Sequence, residues 1–469
     1  MTTEGKGHLS RRAAVGTMAA AGLGFAVFGP RQAQDVPPGR TVVDYWEKWT
    51  GQEAAAMRLV VDRFNRSQDR IWVRYFSMSA IDQKTTIAIA GGDPPDLVGL
   101  WNFSLPAFVE ADAVLDLKQL DAEFGAEIAT AFRSRYGDAD HRLRRERYAP
   151  QVWDMCEWKG QLGGISSACT NMGLYYDKAA FRAVGLDPEK PPRTIAELDS
   201  AAEKLTTYKP DGSIDRAGFI HREPGWWNWL WGYHFGGALL DPATGDATAA
   251  SAENIAAYDW LQTYPEKFGT ARLVAFQSGF GGYNSVQQPI LAGKVAMVFQ
   301  GSFIANVFKT FAPDFEYGAA PFPVIDELYD PDRPIGLMEA DVLCIPKGAK
   351  HPREAYEFVM FTQRREQVEL LASRHAKPTT LRTATDEFVR DHPNKFIAMH
   401  NKLAVSAGAF PKPQTRVWPQ YEAEFNSKIG SMWERTETAT EALTQIQERG
   451  QAQIARMRDV TQRRYGDRA

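Results

Sequence analysis

Cysteine is scarce in this chain of 469 residues, with only Cys156, Cys169 and Cys344. Three thiols exclude a disulfide framework and a cysteine-based metal site. Cys156 and Cys169 flank the turn Lys159-Gly160-Gln161 at unequal distances, which argues against their pairing. Charge of one sign is not in excess either. Lys and Arg number 54 against 58 Asp and Glu, a formal net charge of −4. That balance excludes the basic footprint of a nucleic-acid binder and the acidic tail of a disordered chain. Beyond the N-terminus there is no run of about 18 apolar residues, so no membrane span is expected in the mature chain. Catalytic signatures are missing as well: G-x-x-x-x-G-K-[ST], G-x-S-x-G and H-E-x-x-H do not occur. "GFGGYN", Gly279 to Asn284, lacks the spacing of a phosphate fingerprint and reads as a turn. The eight histidines are scattered, and His375, His392 and His400 lack ligand spacing. No metal and no cofactor are therefore expected. At 44% hydrophobic and 24% charged residues the composition is that of a globular protein. The length exceeds one compact core, so two or more lobes are expected.

The N-terminus is more informative. Ser10-Arg11-Arg12 precedes an Ala/Gly-rich apolar stretch from Ala13 to Phe28. It is too short to span a bilayer and has the positive flank of an export signal. The arginine pair resembles a twin-arginine signal, which exports proteins already folded. No cysteine follows the stretch, so a free rather than lipid-anchored form is expected.

Past a Pro/Gly/Gln linker, "TVVDYW" reads as a buried strand, and "GQEAAAMRLVVDRFNRS" as a helix with Met57, Val60, Val61 and Phe64 on one face. "IWVRYFSM" alternates as a second strand; "KTTIAIAGGDPPDLVGLWN" gives a helix, a turn and a third strand, Leu97 to Leu100. This alternation implies a parallel sheet flanked by helices. "WKGQLGGISS" supplies a tight turn between two strand-like runs. A second α/β region opens at "GLYYDKAAF", with Thr194 capping a helix and Glu197 three residues on. From Ala349 the chain reads mostly helical and amphipathic. The run Arg133 to Tyr148 carries six arginines, either a solvated surface or a docking patch.

One stretch stands apart: "HREPGWWNWLWGYHFGG" puts four tryptophans and a tyrosine into eight consecutive positions. On a helix, Trp226, Trp229 or Leu230, Tyr233 and Gly237 would share one face, and Trp227, Trp231 and Phe235 the next. A core needs only one such face. The other would be a binding surface, because a flat indole suits the apolar C–H face of a sugar ring.

Six segments, in order, resemble the extracellular solute-binding proteins of bacterial ABC sugar importers, the maltose-binding-protein-like group. They are "VVDYWEKW" with "DRFNRS", "GGDPPDLVGLWN", "WKGQLGGIS", "LYYDKAAFRAVGLDPEKPPRTIAEL", "LAGKVAMVFQGSF" and "DVLCIPKGAKHPREAYEFV". The resemblance implies an α/β, two-lobed periplasmic binding protein fold of type II, each lobe a sheet flanked by helices, hinged by three crossings. Residues 1–40 would be signal and linker, 41–169 one lobe with 340–377 returning to it, and 170–339 the other, with 378–469 packing mainly on it. It further implies a monomeric periplasmic protein that catalyses nothing, captures a carbohydrate between its lobes and hands it to the ABC permease in the inner membrane. Carried over by position, the ligand contacts are Trp46 and Glu47 after the first strand, Trp101 and Asn102 after the third, and Thr170 at the first crossing. Trp226 or Trp227 follows Glu223-Pro224, where the group places a stacking aromatic, the inserted Gly225 leaving the choice open. Phe303 stands where the group usually has Trp; Glu339 and Asp341 lie on the second crossing; Trp418 or Tyr421 would close the site. Two rivals stay open. The acids Glu47, Glu339 and Asp341 would also suit a cationic or polyol ligand, and Glu339 with Asp341 are the nearest candidates for a hydrolase pair.

Overall fold

The computed structural model describes residues 36–137 and 141–465. The first strands follow the expected pattern: β1 (Thr41–Glu47), β2 (Ile71–Ser77) and β3 (Leu97–Trp101) are joined by helices Gly51–Ser67 and Ile81–Ala90. Both β2 and β3 pair with β1 in parallel. Met57, Val60, Val61 and Phe64 are buried on the first helix, and Phe64 packs on Phe358 and Phe361 of helix Pro352–Thr362. The turn of the short hairpin β4 (Glu157–Trp158) and β5 (Gln161–Leu162) is made by Lys159 and Gly160, both at positive φ.

The long strand β6 (Ile165–Asp177) carries the chain across the molecule. A second small hairpin, β7 (Thr207–Tyr208) with β8 (Ile214–Arg216), lies beyond it. Then come β9 (Met297–Gly301), β10 (Tyr317–Ala320), β11 (Gly336–Cys344) and β12 (Ala409–Pro411). The principal sheet runs β10-β6-β11-β3-β1-β2, with β9 also on β6 and β12 also on β11. The outer half of β6 pairs with β9 and β10, whereas its inner half pairs with β11, which in turn pairs with β3. Two strands thus thread both halves of the molecule, and each changes core along its length. Cys169 belongs to the first core and Met172 to the second; Met338 belongs to the first and Leu337 to the second. After residue 377 the chain divides: Leu381, Ala404 and Ala409 join the first core, Phe388 and Ile397 form a small third cluster, and residues from Val417 onward build the second. β6 and β11 are thus extended backbone shared by two separately packed cores.

Thr194 caps helix Ile195–Leu205, its hydroxyl accepting from the Glu197 amide at 3.3 Å, as the capping pattern requires. The arginine run is mostly absorbed into the first lobe's surface. Arg142 grips Asp121, Arg145 meets Asp154, and Arg147 donates to the Gln363 carbonyl. The three cysteines are free and buried.

The tryptophan stretch departs from expectation. No α-helix forms over 226–237. The chain makes turns after Gly225 (φ +78°), then a short 3-10 helix, Trp231–Phe235, ended by Gly236 at positive φ. Close packing sets this path: Gly232 and Gly237 lie against the Asn254 side chain, where any Cβ would collide. The pairing of faces drawn on a helical wheel therefore does not apply. Trp229 is 0% exposed and Trp226 is 44% exposed, although helical spacing would put both on one face.

Candidate functional site

The carboxyl ends of β1 and β3 and the middle of β11 meet where the two cores adjoin. Lys48, the residue after β1, sits between the rings of Trp49 and Trp101, its Nζ 5.1 and 5.3 Å from their centroids. It also donates to the Leu100 carbonyl at 3.1 Å. Its ion-pair partners are Asp341 Oδ1 at 3.0 Å and Glu47 Oε1 at 3.2 Å. Asp341 is shared: its other oxygen lies 3.2 Å from Lys377, which is itself 3.2 Å from Glu53. Burial alone would raise the Asp341 carboxyl, but the ammonium groups of Lys377 and Lys48 outweigh it and hold it well below the usual carboxylate range. The same pairs outweigh burial at Lys377 and Lys48, whose ammonium forms are strengthened. Both carry their charge at any physiological pH.

Glu47 does not reach the cleft. It is fully buried and accepts from the Tyr45 hydroxyl at 2.5 Å and the Lys48 amide at 2.8 Å, so it braces Lys48 from behind. Gly99 on the neighbouring strand makes room for it, since a Cβ there would overlap the carboxylate. Trp46 points the other way, as alternation along a strand demands, and is buried in the first core. Trp101 is 38% exposed and lies stacked with Phe103, the rings 5.8 Å apart at 11°. Asn102 is buried. Its Oδ1 accepts from the Ala340 amide at 3.1 Å and pins β3 to β11, while its Nδ2 finds no partner among the described residues. Phe103 in turn lies 4.4 Å from Lys412, which is held by Glu339 at 3.3 Å and Glu422 at 3.5 Å. Both acids proposed for a hydrolase pair are thus engaged by lysines.

The opposite wall comes from the second core. Trp226 meets Tyr283 edge-on at 5.0 Å, and Tyr283 meets the half-buried Phe303 at 6.0 Å. Burial raises the Tyr283 hydroxyl well above its usual range, and the Glu53 carboxylate of the first lobe adds to that. That hydroxyl has no hydrogen-bond partner among the described residues. Trp227 turns inward against Phe299 at 5.6 Å, so of the two candidates only Trp226 presents a face. Trp418 is also withdrawn: it is fully buried against Trp229, 5.0 Å away, and beside Tyr421. Helix Trp418–Trp433 contributes these residues to the core because both sit on its buried face. On the floor, the Thr170 and Ser302 hydroxyls lie 3.0 Å apart. Behind them, Asn171, His400, Tyr175 and Asn394 form a buried hydrogen-bonded chain, Asn171 Nδ2 donating to the His400 carbonyl at 2.7 Å.

Of the expected residues, Trp101, Asn102, Thr170, Trp226, Phe303, Glu339 and Asp341 are brought to this junction. Trp46, Glu47, Trp227 and Trp418 are turned into the structure behind it. Lys48, Trp49, Lys377, Lys412 and Tyr283 were not singled out. Lys48 follows β1 directly, so the carboxyl end of that strand pointed to it; Lys377 follows helix Arg365–His375, at no strand end. Among the described residues there is no cluster suited to a metal ion and no helix long and apolar enough to cross a membrane.

Two cores joined by shared strands, with charged and aromatic side chains gathered near where they adjoin, define a two-lobed α/β fold. Solved structures carry the same fold. A protein with mannotriose bound (CpMnBP1) superposes with a TM-score of 0.71 at 23% identity, covering 87% of this chain and 99% of that one. The sugar-binding protein MalE of Xanthomonas citri gives a TM-score of 0.71 at 17% identity, covering 90% and 99%. The family model for bacterial extracellular solute-binding proteins matches residues 48–369, and the chain belongs to that family. Among curated relatives, the sn-glycerol-3-phosphate-binding periplasmic protein UgpB of Yersinia pestis is 25% identical over 171 residues. That match spans 35% of this chain and 35% of the relative's length.

Proposed function

We propose that this protein captures an uncharged saccharide between its lobes in the periplasm and presents it to the permease of an ABC importer, without chemical change. The observation that carries the reading is the pair of half-exposed indoles, Trp101 on one lobe and Trp226 on the other, with unpartnered polar atoms beside them at Asn102 and Tyr283. Stacked faces and a few fixed hydrogen-bond groups match a sugar's apolar face and hydroxyl rim. One fold neighbour with mannotriose bound and another named as a sugar-binding protein support the same solute class. Against a hydrolase, Asp341 is held ionised between two lysines and has no route to act as an acid. A two-lobed binder needs no cofactor and works as a monomer. Export through the twin-arginine route rests on Ser10-Arg11-Arg12, which lies outside the described residues. The test is calorimetric titration of the purified chain with mannobiose, mannotriose and maltose. Saturable binding with no new reducing ends after long incubation supports the proposal; no binding of any neutral saccharide, or turnover, overturns it.

A further inference from the structure

We infer that Asp341 is a specificity determinant that occupies the place of a ligand's anionic group between Lys48 and Lys377, so that the cleft rejects phosphorylated or carboxylated solutes. The inference rests on the reading of this junction as the solute cleft. A carboxylate bridging two ammoniums through separate oxygens, at 3.0 and 3.2 Å, presents the donors that a solute phosphate or carboxylate would need, already taken. Neither lysine has charge to spare. Lys48 is further engaged by Glu47 and the Leu100 carbonyl, and Lys377 by Glu53. The third lysine of the cleft, Lys412, is likewise held by two acids, Glu339 and Glu422. Three ammonium groups thus face five carboxylates, a formal balance of −2. An anion placed there meets repulsion. Unit charges about 5–6 Å apart at an effective dielectric of about 20 change affinity on the order of a hundredfold.

Sequence relatives named for glycerol 3-phosphate make that solute a natural probe. Calorimetry at low salt would compare the full chain with its Asp341→Asn variant, using sn-glycerol 3-phosphate, glycerol and mannobiose. The native chain should bind glycerol 3-phosphate no better than glycerol. Asp341→Asn should gain roughly tenfold or more toward glycerol 3-phosphate but not toward glycerol, because both ammoniums lose their shared counter-charge. Adding Lys377→Gln should cancel most of that gain. A native chain preferring glycerol 3-phosphate over glycerol by tenfold overturns the inference, as does a folded Asp341→Asn variant with no gain. If that variant does not fold, Glu53→Gln serves instead. The Glu53 side chain is 39% exposed, its replacement frees one side of Lys377, and a gain of about threefold is expected; no gain is again a refutation. Mannobiose separates the two readings: its failure to bind the native chain counts against the saccharide proposal, while the anion comparison still judges Asp341.

Discussion

Trp226 and Trp229 lie three residues apart, and their alanine variants should fail in opposite ways. With 44% of its surface exposed, Trp226 offers a ligand on the order of 100 Å² of indole, worth about 2.5 kcal/mol at ~25 cal/mol per Å². Trp226→Ala should therefore weaken saccharide binding roughly 50- to 100-fold. Trp229 is 0% exposed and packs edge-on to Trp418 at 5.0 Å and Tyr233 at 6.0 Å. Its truncation leaves a cavity in the second core, costing about 3–5 kcal/mol of stability. Affinity of the folded fraction should barely change, because Trp229 has no face on the cleft. Denaturant melts give the first quantity and calorimetry on the same preparations the second. If Trp226→Ala loses as much stability as Trp229→Ala and keeps its affinity, the indole is part of the packing and the aromatic wall is misassigned.

Other expectations concern the frame around the site. Gly99→Ala should destabilise the first lobe by about 1–3 kcal/mol, since the new Cβ displaces the braced Glu47; an unchanged melt would show that Glu47 is free to move. Acid should loosen the second lobe. Burial depresses His234 and His400 to about 3, so both stay neutral when folded but take up protons when unfolded. Their contribution is present above about 6.5 and lost as pH falls from there toward 3, so the melting temperature should drop over that window. His234→Phe should flatten the drop, and an identical pH profile for this variant would refute the assignment. Few bonds tie the lobes away from the crossings: Asn306 to the Arg374 carbonyl at 3.3 Å, Gln414 to the Asp154 carbonyl at 3.4 Å, and Arg416 near Glu110 at 4.0 Å. Small-angle scattering should show the ligand-free chain expanded relative to this structure and contracting with saccharide; no change at saturation would argue against the hinge. Export should fail when Arg11 and Arg12 are both replaced by lysine, and undiminished periplasmic protein would reject the twin-arginine route.

What the sequence determined by itself is whatever local periodicity and turn chemistry encode. A short apolar run marked β1 and alternation marked β2, the spacing of Met57, Val60, Val61 and Phe64 marked the buried helix face, and Thr194 with Glu197 marked a cap. The ordered segments pointed to the fold, the carboxyl end of the third strand pointed to Trp101 and Asn102, and the second crossing pointed to Asp341. What the sequence left open depends on partners distant along the chain. Trp226 and Trp227 are adjacent and chemically identical, yet Phe299 buries one while Tyr283 leaves the other exposed. The tryptophan stretch has helical spacing but no helix, because Asn254 and the second core set its path. Glu47 and Asp341 both carry a carboxylate. Only the placement of Tyr45, Lys48 and Lys377 makes one a buried brace and the other a bridge between two ammoniums. Periodicity reports which side of an element is apolar. Which of two like side chains meets the solute is decided by what packs against them, and that is a property of the assembled lobes.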